Sequence, residues 1–208
     1  MLGLADNKKV VVVGIPGVGK TSLVTKLVEL ITKQNKTVGV HSFGTVMLEE
    51  AMKNGIKDRD ELRRLSIGKQ KELQKMAAED IAKLQDDVVL IDTHAFISTK
   101  SGFYPGLPNY VIQIIQPTNF IAITASPDEI HDRRMKDETR NRDPVSIEDI
   151  KKELAVQDAM LSSCSVLSGS PMKVVFNHEG KVDEAAQTVL DAIAVSYTHL
   201  TLPTKRIV

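Results

Sequence analysis

Residues 14 to 21 read Gly-Ile-Pro-Gly-Val-Gly-Lys-Thr and match the spacing G-x-x-x-x-G-K-[ST]. That combination can hold a phosphate. Glycines let successive backbone N–H groups turn toward one anion, and a helix starting just after them adds the partial positive charge of its N-terminus. Lys20 would reach the β- and γ-phosphates of a nucleoside triphosphate, and the Thr21 hydroxyl would bind Mg²⁺. Lysine and threonine have no structural need to occupy a plain glycine-rich turn. Magnesium also leans on a carboxylate. Asp-Val-Val-Leu-Ile-Asp, 87 to 92, ends a buried apolar run with Asp92, at the place where ligands collect in open α/β sheets. The competing reading of Asp92 is a cap that starts a loop. Thr93 extends the site; His94 reads equally as ligand-facing or as packing.

A cradle alone specifies only a nucleoside triphosphate. GTPase switches carry D-x-x-G after the metal aspartate and an N-K-x-D run; here Asp92 is followed by Thr-His-Ala, and N-K-x-D is absent. Remodelling ATPases bring larger chains. Phosphoryl transfer needs cations around a moving γ-phosphoryl group and little other chemistry. Between Arg133 and Pro144 the chain places four arginines and one lysine: Arg133, Arg134, Lys136, Arg140 and Arg142. The short polar segment at 133–145 is suited to cover a phosphate site. The alternative is a solvated helix end whose acids pair locally.

The elements that must position these groups follow the rhythm of an α/β protein: short apolar runs alternating with longer amphipathic ones. Strands are expected at Lys9–Val13, Thr37–His41, Val88–Ile91, Phe120–Thr124 and Lys173–Phe176, four of the five being Val- and Ile-rich as strands buried on both faces should be. A wide apolar face marks a helix over Ser22–Ile31. Asp58 to Glu61 opens a short helix with a capping box. Ser66–Gln85 puts Ile67, Leu73, Met76, Ala77, Ile81 and Leu84 on one stripe. Ser-Pro-Asp-Glu at 126–129 and Ser146 to Asp149 are helix starts, the second helix stopping before Gly169, and Val182–Val195 is the last helix. The expected fold is one α/β domain with a parallel sheet of five strands, over residues 1–195. Residues 42–85 and 133–145 form insertions.

The 208 residues leave room for one domain with a full core. Lysine plus arginine equals aspartate plus glutamate at 27 each, which argues against a general nucleic-acid binder. No signal peptide or spanning segment is visible. The single cysteine, Cys164, fits a reducing compartment and reads as a small buried apolar residue. A cytoplasmic protein is expected. One cysteine cannot supply a zinc-binding cysteine set, so no structural zinc is expected. The last stretch, SYTHLTLPTKRIV from Ser196 to Val208, breaks the preceding pattern and resembles a translated sequencing adapter; the alternative is a mobile native tail.

Taken together, GIPGVGKT, HSFGTVMLEEA, DRDELRRL, DTHAFISTKSGFYPGLP and DETRNRD, in this order, resemble the archaeal-type adenylate kinases from Lys8 to about Val195. The resemblance implies ATP + AMP ⇌ 2 ADP with Mg²⁺, a three-layer α/β/α P-loop NTPase fold with a central parallel five-stranded sheet, and a homotrimer. It implies that Gly14, Ile15, Pro16, Gly17, Val18, Gly19, Lys20, Thr21 and Ser22 hold the ATP phosphates, and that Lys20, Arg134, Arg140 and Arg142 stabilise the transferring group. Thr21 and Asp92 organise the metal. Ser42, Phe43, Gly44, Thr45 and Met47 begin the AMP pocket, faced by the run containing Gly106 and Pro108. Two arginines that bacterial-type relatives use near AMP have no counterpart here, which leaves Arg59, Arg63, Arg64 and Lys100 as candidates for the AMP phosphate. Arg63 is preferred because Asp58 caps its helix. The other functions kept open are a kinase for a different nucleoside monophosphate and a small adenylate-kinase-like ATPase module.

Overall fold

The computed structural model describes residues 7–99, 102–136 and 145–194. Five strands form one parallel sheet: β1 (Lys8–Val13), β2 (Val38–Ser42), β3 (Val88–Thr93), β6 (Asn119–Thr124) and β7 (Met172–Phe176), in the order β2-β3-β1-β6-β7. The strand expected at each position is present, with ends within one or two residues. In register, Val12 lies opposite Asp92 and Val13 opposite Thr93, so the phosphate loop and Asp92 leave the sheet side by side.

Side chains alternate across a strand, and this splits the valine run between two cores. Val10 and Val12 join Leu23, Leu27 and Ile31 of α1 (Lys20–Thr32) and Val189 and Ile193 of α8 (Val182–Ala194). Val11 and Val13 face the opposite layer. That layer holds Phe43 of α2 (Phe43–Lys53), Leu73 and Ile81 of α4 (Ile67–Ala82), Val111 of α5 (Asn109–Ile115) and Leu161 of α7 (Ile147–Ser168). Helices cover both faces of the sheet, which is the three-layer arrangement. Cys164 is buried in the second core, where burial pushes its thiol pKa up.

The helix starts behave as their sequences dictate. Asp58 accepts from the backbone N–H of Asp60 and Glu61 at the head of α3 (Arg59–Arg64). Ser126 and Glu129 bond reciprocally at the head of α6 (Pro127–Lys136), and Gly169 ends α7 in the left-handed region. Four elements were not expected: α2, α5 and the two strands of an antiparallel pair, β4 (Phe96–Thr99) with β5 (Gly102–Pro105). One core expectation is corrected. Ile67 is 66% exposed, because the first turn of α4 projects beyond the packed stripe that starts at Leu73. The tail at 196–208 lies outside the described residues.

Candidate active site

The loop from Gly14 to Gly19 joins the central strand to α1. Gly17 and Gly19 have φ of 91° and 77°, a conformation that side chains disfavour and that lets the chain fold back on itself before the helix begins. Lys20 opens α1 with its side chain only 14% exposed. Its ammonium is ion-paired with Asp92 and donates to Thr93 O at 2.8 Å. The lysine therefore stands between two adjacent strand ends.

A cavity of about 580 Å³ opens here, within the ordinary range for a small-molecule site. Gly14, Ile15, Pro16, Gly17, Gly19, Lys20, Thr21, Asp92, Thr93, His94 and Arg133 line one part of it. Ser42, Phe43, Gly44, Met47, Arg59, Gln74, Ile97 and Gly106 line the other. β2 runs into α2 with no intervening loop, Ser42 being both the last strand residue and the N-cap, and this brings 42–47 to the cavity wall. Gly106 closes the far wall: a Cβ there would lie 1.9 Å from His94 O, so only glycine permits that approach.

Several residues singled out in the sequence stand elsewhere. Val18 is fully buried and Ser22 is exposed; neither lines the cavity. Thr45 accepts from the Arg59 guanidinium at 3.1 Å, and Pro108 is the N-cap of α5. Arg63, preferred above for the AMP phosphate, is not among the cavity-lining residues. Its side chain is 72% exposed and paired with Asp60, three residues earlier on the same helix, at 3.0 Å. Arg59, one turn before it, lines the cavity instead. Arg134 donates to Pro16 O at 2.8 Å and to Glu153 at 2.7 Å, with its side chain 11% exposed. Its neighbour Arg133 lines the cavity while bonding Glu179, Asn177 O and Gly17 O. Lys100, Arg140 and Arg142 lie outside the described residues.

Two residues that were not among the site candidates hold this corner together, Glu129 having been read only as part of a helix start. Asn177, the first residue after β7, is 5% exposed and donates to Val18 O and Gly19 O. Like Asp92, it stands at the carboxyl end of a strand, which was the available signal. Glu129 accepts from the N–H groups of Glu179 (2.8 Å) and Ser126 and from the Ser126 hydroxyl, and it meets His178. The Glu179 N–H is the main cause of a carboxyl pKa lowered from 4.5 to about 2. A depressed carboxylate stabilises the fold above its unfolded value, and that contribution disappears as pH falls through the folded one. Glu129→Gln should thus cost about 2 kcal/mol above pH 5. The gap from the parent protein should close toward pH 2, as read by urea unfolding at a series of pH values.

Among the described residues no cluster of three or more His, Cys, Asp or Glu could cage a metal. One hydroxyl (Thr21) and one carboxylate (Asp92) on the cavity wall suit magnesium nonetheless, because that ion takes one or two protein ligands and completes its shell with phosphate oxygens and water.

Comparison with known proteins fits this geometry. A family model described as an AAA domain matches residues 13–151. The chain is 38% identical to an adenylate kinase of Methanocaldococcus jannaschii, over 90% of this chain and 98% of that one. It is 38% identical to an adenylate kinase of Thermoplasma acidophilum, over 89% and 98%. Among solved structures, shikimate kinase from Bacteroides thetaiotaomicron superposes with a TM-score of 0.55 at 12% identity, covering 90% of this chain and 99% of that one. A shikimate kinase from Acinetobacter baumannii, in complex with shikimate, gives 0.50 at 14%, covering 89% and 92%. The structural likeness concerns the fold alone.

Proposed function

The chain belongs to the adenylate kinases, phosphotransferases that run ATP + AMP ⇌ 2 ADP, and we propose how its cavity divides that reaction. The observation that carries the proposal is continuity: the glycine loop and the wall built from α2, α3, α4 and Gly106 open onto one space. ATP phosphates occupy the loop side, and AMP occupies the side of Ser42, Phe43, Gly44 and Met47. The two anions then meet end to end near Lys20, with no water needed between them.

Lys20, held by Asp92 and Thr93 O, presents a fixed positive charge to the transferring group. Thr21 and Asp92 are the residues that would hold Mg²⁺, which when bound spreads the phosphate charge and lowers the repulsion between nucleotides. Arg133 adds a cation on the donor side. Arg134 reaches the reacting phosphates only by exchanging its bond to Pro16 O; its assignment, and those of Arg140 and Arg142 in the 133–145 covering segment, rest on the motif resemblance. No general base is required, since the attacking AMP phosphate is already ionised. For that phosphate we assign Arg59, the described arginine of the α3 group on the cavity wall, in place of Arg63.

The test is a coupled ADP assay with ATP and each nucleoside monophosphate, on the parent protein and Arg59→Ala. The expected result is AMP-dependent ADP production. In the variant the AMP KM should rise roughly 10–100-fold, with the ATP KM within about twofold. Preference for another monophosphate reassigns the acceptor; hydrolysis indifferent to any acceptor identifies an ATPase module. An unchanged AMP KM removes Arg59 from the phosphate site. Among the described residues no helix is long and apolar enough to cross a membrane. A cytoplasmic homotrimer completes the proposal on the strength of the motif resemblance, and light scattering at working concentration checks the trimer.

A further inference from the structure

Four consecutive carbonyl oxygens of the glycine loop are each met by a side chain from outside it. Arg134 Nε donates to Pro16 O (2.8 Å), Arg133 Nη1 to Gly17 O (3.4 Å), and Asn177 Nδ2 to both Val18 O (2.9 Å) and Gly19 O (3.3 Å). A planar trans peptide points its carbonyl and the next residue's N–H in opposite directions, and no cis bond occurs among the described residues. Holding the carbonyls of Pro16 and Val18 toward α6 and the β7 end therefore holds the N–H groups of Gly17 and Gly19 on the opposite side; Gly19 O, which accepts from Leu23 N–H at 3.1 Å as well as from Asn177, does the same for the Lys20 N–H. Those three residues line the cavity. Val18 does not line it, and its own N–H is turned to Ile15 O at 3.4 Å. The anchors thus hold three amides toward the cavity, and the Val18 N–H is set apart from them by its own bond to Ile15 O.

We propose that Asn177 is a positioning residue for the donor phosphates. It acts through the Val18 and Gly19 carbonyls and touches no nucleotide itself. It is well placed for this. Its backbone N–H is tied to Thr124 O at 2.8 Å and its carbonyl to Arg133, so the amide cannot drift from the loop. It also packs closely enough that a Cβ on Gly19 would lie 2.4 Å from its Nδ2. Asparagine suits the role because one NH₂ group can serve two neighbouring carbonyls. Aspartate has the same shape but, when ionised, only accepts, and would set a negative oxygen against both.

This inference rests on residues 14–21 being the ATP-phosphate site, so the experiment separates the two. ATP affinity by calorimetry, and the KM for each substrate, are measured for the parent protein, Lys20→Ala, Asn177→Asp, Asn177→Ala and Asn177→Ser, with thermal unfolding as a check on folding. Asn177→Asp should raise the ATP Kd and KM at least about tenfold at pH 8. The AMP KM should stay within about twofold, and ATP affinity should recover partly toward pH 5 as the carboxyl gains a proton it can donate. A residue that only supports the fold would lower the active fraction, and hence kcat, and leave both KM values and their pH dependence alone; that result overturns the proposal. Should Asn177→Asp not fold, the comparison passes to the other two. Serine, which keeps a donor, must bind ATP more tightly than alanine, and equal affinities overturn the proposal. Loss of ATP binding in Lys20→Ala together with parent-like binding in every Asn177 variant refutes the positioning role and leaves the phosphate site standing. Parent-like ATP binding in Lys20→Ala refutes the site itself.

Discussion

Lys20→Ala is expected to lower turnover about a thousandfold or more, with the unfolding temperature within a few degrees of the parent. Its side chain, only 14% exposed, stands on the cavity wall at the head of α1, the ammonium oriented by Asp92 and Thr93 O. A preorganised donor aimed at developing charge is worth about 10²–10³ in rate, and a full positive charge in a water-poor site should match or exceed that. The fold should tolerate the change because Asp92 is 37% exposed and can take water in place of the lysine. Single-turnover ADP formation together with a melting curve decides it. A folded variant that turns over normally means that Lys20 does not meet the transferring group.

Gly106→Ala should be the most damaging small substitution on the acceptor side. The added methyl would sit 1.9 Å from His94 O and 2.9 Å from its carbonyl carbon. Both are backbone atoms with nowhere to swing. Gly106 N–H is meanwhile tied to Ala95 O at 2.9 Å, so the segments can separate only by breaking that bond and moving the wall against which AMP would lie. A loss of about 3 kcal/mol is expected, at the upper end for overpacking, with the AMP KM rising more than the ATP KM. Gly68→Ala is the matched control. Nothing lies within 4 Å of its Cβ position near the start of α4, and alanine there should stabilise by up to about 1 kcal/mol. Equal melting temperatures for the two variants would show that the close approach at Gly106 is not felt.

The three inner strands were legible because buried strands are written as Val- and Ile-rich runs, and most helices because they carry caps; the edge strands β2 and β7 expose Val40, Val174 and Phe176 and are not buried on both faces. α2 was hidden by its junction. Ser42 ends β2 and begins α2, so no Gly, Pro or polar cluster punctuates the change from one period to the other. α5 was hidden by composition. Tyr-Val-Ile-Gln-Ile-Ile favours a strand locally, yet Val111, Ile112 and Ile115 are buried against α4 and α7, and packing overrides that preference. The glycine-loop side of the cavity was legible as a contiguous motif. The opposite wall was only partly so, because it is assembled from α2, α3, α4 and the β5–α5 turn. Choosing between Arg59 and Arg63 required knowing that Asp60 holds Arg63 on the outside. Asn177 carried only the weak signal of a strand's carboxyl end, because the loop it meets lies 158 residues away in sequence.

The central place of β1 has a consequence for engineering. Its loop meets the wall of α2, α3 and α4 on the β2–β3 flank and the carbonyl anchors on the β6–β7 flank, while α7 packs against α5 and β4 and ties the flanks together. In the proposed division of the cavity, the segment that carries most of the acceptor wall is thus distinct in sequence from the residues that anchor the donor loop. A chimera that exchanges residues 42–82 for those of a relative keeps every anchor on the glycine loop, and could change what receives the phosphoryl group without disturbing what gives it.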